Sequence, residues 1–338
     1  MLTEILRLMR KARVTRQGAI LLGDNTSIDG HEPGRSTRVV THIHSDHVTG
    51  LRKSIKECSM VVATPITHEM LRVLGYRVPE PKKLPLEYGV TVSIDGEKLT
   101  LLRSNHIPGT AQVLVETEDG DRLLYTSDFK LPGTPIVRDA DAIVVDATYG
   151  RADWMRPWQE EVEDLLADIV RDALALGSVG VFGYHGKLQE VMLVLRSRGI
   201  DAPFVAPRRV YQLTMVLKRH GYPIGDILLQ GTREAQEVMR DGWYIYFGHI
   251  LSRNKAPCRT RLILSGWEFR EPFRRLGPGE WLIAFSDHAD FRQLVSYIDE
   301  ARPKLVIVDG FRGGSAALEF AKYVRRRLGI AAITSPAP

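Results

Sequence analysis

This 338-residue sequence has only two cysteines and no long apolar segment. Its two cysteines, Cys58 and Cys258, cannot form a disulfide framework, so we expect packing residues in a reducing cytoplasm. No apolar run approaches the roughly 18 residues that a membrane-spanning helix needs. Glu4 interrupts the apolar N-terminus, whereas a signal peptide has a continuous apolar core in this region. These absences predict a cytoplasmic protein with no membrane partner.

The composition is ordinary for a globular protein, with 44% hydrophobic and 26% charged residues, and its length allows two domains. The formal net charge of +5 is compatible with a nucleic-acid partner but does not require one. The oligomeric state stays open, because nothing in the sequence reports on it.

Histidine is also scarce, yet three of the ten histidines fall within residues 41–47. His42 and His44 are two apart, so at an extended strand end their side chains point the same way. Asp46 and His47 follow where the chain must turn. One short loop can therefore present two pairs of ligands to two adjacent cations, and imidazole with carboxylate is a typical ligand set for zinc.

Short apolar, β-branched runs lead directly into polar residues at five places in the chain. Buried strands of an α/β protein read as such continuous runs, and their ends meet at one edge of a sheet. We therefore expect a shared site built from these strand ends. The polar residues are His42, Asp128, Asp146, His288 and Asp309.

Strand and helix signals alternate through the middle of the chain, which predicts a parallel sheet covered by helices. We interpret residues 156–278 as an inserted α/β domain. The first domain then comprises residues 1–155 and 279–338 and resumes with the strand at 281–285. In this arrangement the insertion is a cap, and the site lies in the cleft between the two domains.

Residues 41–47 resemble the HxHxDH signature of the metallo-β-lactamase superfamily, which implies an αββα sandwich. The other motifs of that superfamily have counterparts in the expected order. They are residues 27–30 with Asp29, residues 104–113 with His106, and residues 123–130 with Asp128. By this resemblance Asp29 orients the ligands from behind without binding metal itself.

Further segments resemble motifs of the β-CASP nucleases, a family within that superfamily with an inserted α/β cap domain. They are residues 146–150, 183–190, 265–267 and 285–290. The residues of these motifs are similar to those of exonucleases associated with ATP-dependent DNA ligases and of Artemis-type DNA nucleases. Many β-CASP enzymes carry a ligand histidine where this chain has Asp309, so Asp309 is either a ligand of the second metal or a structural residue.

The resemblance implies one or two Zn²⁺ ions, with Mn²⁺ or Mg²⁺ as alternatives at the second site. His42, His44 and His106 are assigned to one metal, Asp46 and His47 to the other, and Asp128 bridges them. Asp309 is the further candidate ligand. His288, oriented by Asp146, is the candidate proton donor to the leaving oxygen, and Asp46 completes the proposed catalytic residues.

Three residues of the insertion are candidate substrate contacts. Lys187 and His185 lie in a turn from a strand to a helix, where a phosphate can meet the helix N-terminus. Ser265 is a candidate for contact with the nucleic-acid backbone. The alternative for all three is an ordinary solvated loop.

The sequence and its resemblance thus predict a metal-dependent nuclease. The favoured interpretation is a DNA exonuclease that acts in DNA repair or processing. Its predicted partner is an ATP-dependent DNA ligase. The close alternative is a β-CASP ribonuclease of the type that processes mRNA 3′ ends. A small-molecule metallohydrolase is disfavoured by the insertion. A nucleic-acid-binding protein without catalysis is disfavoured by the complete set of metal motifs.

Overall fold

The computed structural model describes residues 2–159 and 161–337 and divides into two compact units. The first unit joins Met1–Met155 to His288–Pro338, and the second is Arg156–Asp287. The strands of the described ranges are β1 Ala12–Val14, β2 Ile20–Leu22, β3 Thr26–Ile28, β4 Thr37–Val39, β5 Met60–Ala63, β6 Lys83–Pro85, β7 Thr91–Ile94, β8 Glu97–Arg103, β9 Ala111–Glu116, β10 Arg122–Tyr125, β11 Ala142–Val145, β12 Val179–Gly183, β13 Phe204–Ala206, β14 Ile227–Leu229, β15 Ile245–His249, β16 Thr260–Leu264, β17 Phe273–Gly277, β18 Glu280–Ile283, β19 Leu305–Asp309 and β20 Ala331–Ser335.

The α-helices of the same ranges are α1 Leu2–Lys11, α2 Leu51–Glu57, α3 Pro65–Val73, α4 Val162–Leu176, α5 Lys187–Ser197, α6 Arg208–Arg219, α7 Arg233–Asp241, α8 Phe291–Ala301 and α9 Gly310–Tyr323. Within the part of the chain that is described, no helix is both long and apolar enough to cross a lipid bilayer.

Two sheets form the centre of the first unit. The first sheet has the order β1-β2-β3-β4-β5-β6, and the second has the order β20-β19-β11-β10-β9-β8-β7. Apolar residues of both sheets share one core, in which Ile20 and Val39 meet Leu101 and Val113. A second core lies between the second sheet and the helices α8 and α9, with Tyr297 and Phe320 among its members. With α2 against β5 of the first sheet, these layers confirm the predicted αββα sandwich.

The strand β19 shows why the central strands of the second sheet read as continuous apolar runs. Leu305 and Ile307 face the core between the sheets, whereas Val306 and Val308 face the core under the helices. Successive side chains of a strand point to opposite faces, so a strand with a core on each side needs apolar residues at every position.

The parallel pairing of β10, β11 and β19 fixes the position of the residues that follow them. Since parallel strands end at the same edge of a sheet, the chain leaves all three strands on one side. Asp128 and Asp146 follow β10 and β11, and Asp309 is the last residue of β19.

The second unit contains the third sheet, with the order β14-β13-β15-β12-β16-β18-β17. Its strands pair in parallel except for the antiparallel pair β17–β18. Helices α4 to α7 separate its strands along the chain. The alternating signals in the middle of the sequence thus correspond to a parallel sheet with helical connections.

One boundary predicted from the sequence is wrong. The sequence places the strand at 281–285 in the first domain and predicts that this domain resumes at residue 279. In the structure β18 pairs in parallel with β16, with Trp281 opposite Leu262, so the second unit extends to Asp287. An apolar run shows that a strand is buried, but it does not identify the sheet that the strand joins.

Helix α1 offers a matched pair of leucines to test the core of the first unit. Leu8 is fully buried in the core between the sheets, whereas Leu6 on the same helix is exposed. We expect Leu8→Ala to lower the free energy of unfolding by about 2–5 kcal/mol and Leu6→Ala to change it by less than about 0.5 kcal/mol. Urea denaturation followed by circular dichroism measures both; equal effects would contradict the assignment of α1 to this core.

Candidate metal centre

The loop that carries the clustered histidines leaves the first sheet at the end of β4. Val39 and Val40 are buried, so the strand is anchored before the chain reaches His42. The loop ends where α2 begins at Leu51. Two other segments enter the same region: residues 104–110 between β8 and β9, which carry His106, and the loop after β10, which carries Asp128.

Four side chains of the first unit converge on one point. The ligand atoms of His42, His44, His106 and Asp128 all lie within 4.8 Å of one another. His44 Nδ1 lies 3.2 Å from His42 Nε2 and 3.1 Å from His106 Nε2. Donor atoms about 3.3 Å apart are the corners of a tetrahedron whose centre is about 2.0 Å from each, which is the Zn–N bond length. The four residues therefore fit a single divalent cation.

A second group of donors adjoins the first through Asp128. His47 Nε2 lies 3.3 Å from Asp46 Oδ2 and 3.3 Å from Asp128 Oδ2. Among the residues that the structure describes, none forms a hydrogen bond with the buried atoms His47 Nε2 and Asp128 Oδ1. Buried polar atoms in native proteins are normally satisfied, so both atoms fit a bound ion. The chemistry of the donor set thus suits one or two divalent cations.

Asp29 fixes the orientation of two of the histidine rings. This buried carboxylate accepts hydrogen bonds from His47 Nδ1 at 2.7 Å, Thr41 Oγ1 at 2.6 Å and the Thr41 N–H at 2.9 Å. His42 Nδ1 in turn lies 3.0 Å from Thr41 Oγ1, to which it donates. Both rings are thereby fixed in the tautomer that leaves Nε2 available as a ligand.

Charge and burial act together on the ionisation of the cluster. Burial raises the pKa of Asp128, but the neighbouring His47, His288 and His42 outweigh it and hold that pKa well below its usual value. Burial, and then the charge of His47, lower the pKa of His42 well below that of free imidazole. Asp128 and His42 therefore have the protonation states of metal ligands, an ionised carboxylate and a neutral imidazole.

His288 and Asp146 adjoin this cluster. His288 Nδ1 lies 3.4 Å from Asp146 Oδ2, and its Nε2 lies 3.7 Å from Asp128 Oδ2. Thr148 Oγ1 donates to the other oxygen of Asp146 at 2.9 Å. The side chain of His288 is 20% exposed. The carboxylate therefore orients a partly exposed imidazole whose second nitrogen faces the metal ligands.

Asp309 does not lie in the ligand cluster, contrary to the prediction that it binds metal. Its Oδ1 accepts the backbone N–H groups of Phe311 and Arg312 at 2.9 and 3.2 Å, and its Oδ2 accepts Arg312 Nη1 at 2.7 Å. The reason is local: α9 begins at Gly310, so the carboxylate turns back to cap the helix. A strand-end position alone does not determine the direction of the side chain.

Two buried arginines, which are not among the residues predicted from the sequence, contact the backbone of this site. Arg312 Nη2 donates to the backbone oxygen of Asp46 at 2.9 Å, and Arg38 Nη2 donates to that of His47 at 2.9 Å. A signal for Arg312 was present, because an arginine three residues after a helix-capping aspartate can pair with it. For Arg38 the sequence gives no comparable signal.

The three candidate substrate contacts of the insertion all lie in the second unit. Lys187 is buried at the start of α5, and its Nζ lies 3.1 Å from Asp287 Oδ1. The ring of His185 lies 5.2 Å from that of His249. Ser265 Oγ accepts the backbone N–H of Trp267 at 3.1 Å. The charge of Lys187 is thus neutralised inside this unit, and the alternative of an ordinary solvated loop does not hold for this residue.

Comparison with known proteins agrees with this geometry. A family model described as a beta-lactamase superfamily domain matches residues 33–180. A protein of Acidianus ambivalens, named "Uncharacterized protein in lig 3'region", is 41% identical over 138 residues, which are 40% of this chain and 98% of that protein.

Two longer matches carry functional names. A "Probable DNA ligase" of Opitutus terrae is 27% identical over 89% of this chain, but the match spans only 29% of the ligase. The "RNase aCSPSF2" of Saccharolobus solfataricus is 24% identical over 88% of this chain and 73% of its own length.

One solved structure, a protein of unknown function from Enterococcus faecalis V583, shares the fold. It is superimposed with a TM-score of 0.53 and 11% identity, over 82% of this chain and 76% of its own. At that identity the likeness concerns the fold alone. With the metal motifs brought together on an αββα sandwich, and with these relatives, the chain belongs to the β-CASP nuclease family of the metallo-β-lactamase superfamily.

Proposed function

We propose that this protein hydrolyses phosphodiester bonds of nucleic acids with one or two divalent cations, and that its substrate is DNA cleaved from an end. The observation that carries the proposal is the convergence of His42, His44, His106 and Asp128 beside the His288–Asp146 pair. Three imidazoles and a carboxylate supply the cation site, and the fourth imidazole is a separate group for proton transfer.

Each residue has a distinct task in this reaction. His42, His44, His106 and Asp128 would hold a divalent cation, which would lower the pKa of a water and neutralise charge on the phosphate. Asp29 keeps His42 and His47 in the orientation of ligands. His288, whose Nδ1 side is held by Asp146, presents Nε2 to donate a proton to the leaving oxygen.

Zn²⁺ is our choice for the site of the three histidines, because imidazole nitrogen is a preferred zinc ligand. Asp46, His47 and Asp128 form a harder, more anionic set, which also suits Mn²⁺. The two buried free cysteines, Cys58 and Cys258, suit a reducing cytoplasm.

The DNA preference is supported by the name of the ligase relative, and a functional link to an ATP-dependent DNA ligase is part of the proposal. The second candidate is an RNA-processing nuclease, which is favoured by the relative named an RNase. Both candidates need the same metal chemistry and differ in whether the substrate groove admits a 2′-hydroxyl.

The deciding experiment is the digestion of end-labelled single-stranded DNA and of RNA with the same sequence, with Zn²⁺, Mn²⁺ or Mg²⁺ added. We expect the release of mononucleotides or short products from one end of DNA, with no cleavage in the presence of a chelator. Faster cleavage of RNA would select the second candidate. No cleavage of either polymer by the metal-loaded protein would refute the proposal.

Asp128→Asn tests the shared carboxylate. Loss of its charge should lower the cleavage rate at least ~100-fold, because both donor groups lose a common ligand. Binding of DNA should change by less than about threefold, since phosphates are held mainly by lysine and arginine. The exposed Asp139→Asn is the control, and initial rates together with fluorescence anisotropy measure the two effects. A turnover near the wild-type rate would exclude the role.

His288→Gln tests proton donation to the leaving oxygen. The variant should cleave DNA about 10²–10⁴-fold more slowly while retaining its metal content. A nitrophenyl ester of a nucleotide should be affected far less, because nitrophenolate leaves without a proton. His220→Gln on the surface of the second unit is the control. An equal loss on both substrates would show that His288 has another role.

A further inference from the structure

The loop of residues 42–49 carries ligands of both donor groups, and its backbone is held by two buried guanidinium groups. Arg38 donates to the backbone oxygens of His47 at 2.9 Å and Thr49 at 3.3 Å. Arg312 donates to the backbone oxygen of Asp46 at 2.9 Å, and its Nε lies 3.6 Å from Asp46 Oδ2. The contacts of Arg38 come from within the first sheet, whereas Arg312 belongs to α9 beside the second.

Arg312 joins this loop to other segments of the first unit. Its Nη1 also donates to the backbone oxygen of Gly18 at 3.2 Å, and its Nη2 lies 3.5 Å from that of Asp29. The side chain is only 4% exposed, so it is not available to bind a phosphate from solvent. A planar guanidinium with several fixed N–H groups can make such contacts at once, which a lysine cannot.

Asp309 fixes this arginine in turn. The carboxylate is fully buried, caps α9, and accepts Arg312 Nη1 at 2.7 Å. Without a paired carboxylate, a guanidinium at this depth would be strongly unfavourable. Asp309, the last residue of β19, therefore acts on the metal region indirectly, through Arg312 and the backbone of Asp46.

We propose that the Asp309–Arg312 pair is a positioning device that sets the affinity of the second cation site, formed by Asp46, His47 and Asp128. The pair does so by holding the backbone of Asp46 so that its carboxylate faces His47 Nε2, 3.3 Å away. The site of His42, His44 and His106 does not depend on it. The inference rests on the metal site of the proposed function.

Zinc binding to the 338-residue protein after removal of bound metal tests the affinity of the second cation site directly. We compare the wild type with Arg312→Met, Arg312→Lys and Asp309→Asn in competition titrations with a chromophoric chelator, and count bound Zn²⁺ by mass spectrometry. Arg151→Met is the matched control, because Arg151 also pairs with two carboxylates of the first unit, Asp153 and Glu319, but at the surface.

We expect the wild type and Arg151→Met to bind two equivalents of Zn²⁺. In Arg312→Met the dissociation constant of the first Zn²⁺ should stay within about threefold of the wild-type value. That of the second should rise about 10–100-fold, the usual effect of removing a residue that orients a metal ligand. Arg312→Lys should fall between them. Asp309→Asn keeps the helix cap but leaves Arg312 without its carboxylate, so it should lower the stability of the protein. Of the two Zn²⁺ equivalents it should weaken only the second. Saturating Mn²⁺ should restore part of the DNA cleavage, since the ligands are intact.

Three results would overturn the proposal. They are an unchanged second equivalent in Arg312→Met, a parallel loss of both equivalents, and a wild type that binds a single equivalent. The parallel loss would show a general role in folding, because a positioning role is selective for one site. If the wild type binds two equivalents but cleaves no nucleic acid, the proposed function fails while the positioning role stands.

Discussion

The hydrogen bond between His47 and the buried carboxylate of Asp29 is the interaction on which the metal region depends. Asp29 follows β3, and through Thr41 it also reaches His42. One carboxylate therefore determines which nitrogen of two imidazoles faces the cluster. Asp29 is fully buried and accepts hydrogen bonds from Thr41 and His47, so the orientation is set by the first sheet before any cation is present.

The electrostatic balance of the region follows from this arrangement. The buried carboxylates of Asp29 and Asp128 lie beside the buried imidazoles of His42, His47 and His106. A buried carboxylate is costly unless it is paired. In the absence of a cation Asp128 is paired with His47, whose pKa is lowered by burial but raised further by the charge of Asp128, to well above that of free imidazole. Divalent cations complete the compensation, so binding of metal and stability of the first unit are thermodynamically linked.

The sequence predicted the parts of the site that are local in the chain. His42 and His44 alternate along an extended segment, and their spacing alone places both side chains on one side. The αββα sandwich was implied by the resemblance of the metal motifs, in their order, to those of the metallo-β-lactamase superfamily. The error at Asp309 is local, because its carboxylate caps the helix that begins at the next residue. The other errors concern contacts between distant residues: β18 joins another sheet, and Arg312 reaches the loop of Asp46 from α9. Such contacts depend on tertiary packing, which no local pattern encodes.

The pairing of β11 with β19 has a consequence for biosynthesis. Ile143 and Val306 are neighbours in the second sheet, yet the whole second unit is synthesised between them. During translation one edge of the apolar strand β11 therefore stays unpaired until β19 has left the ribosome. Unpaired edges of this kind invite pairing with other chains. A nascent chain that stalls inside the second unit is thus a candidate client for chaperones, whereas the second unit, which is continuous in sequence, is free to fold first.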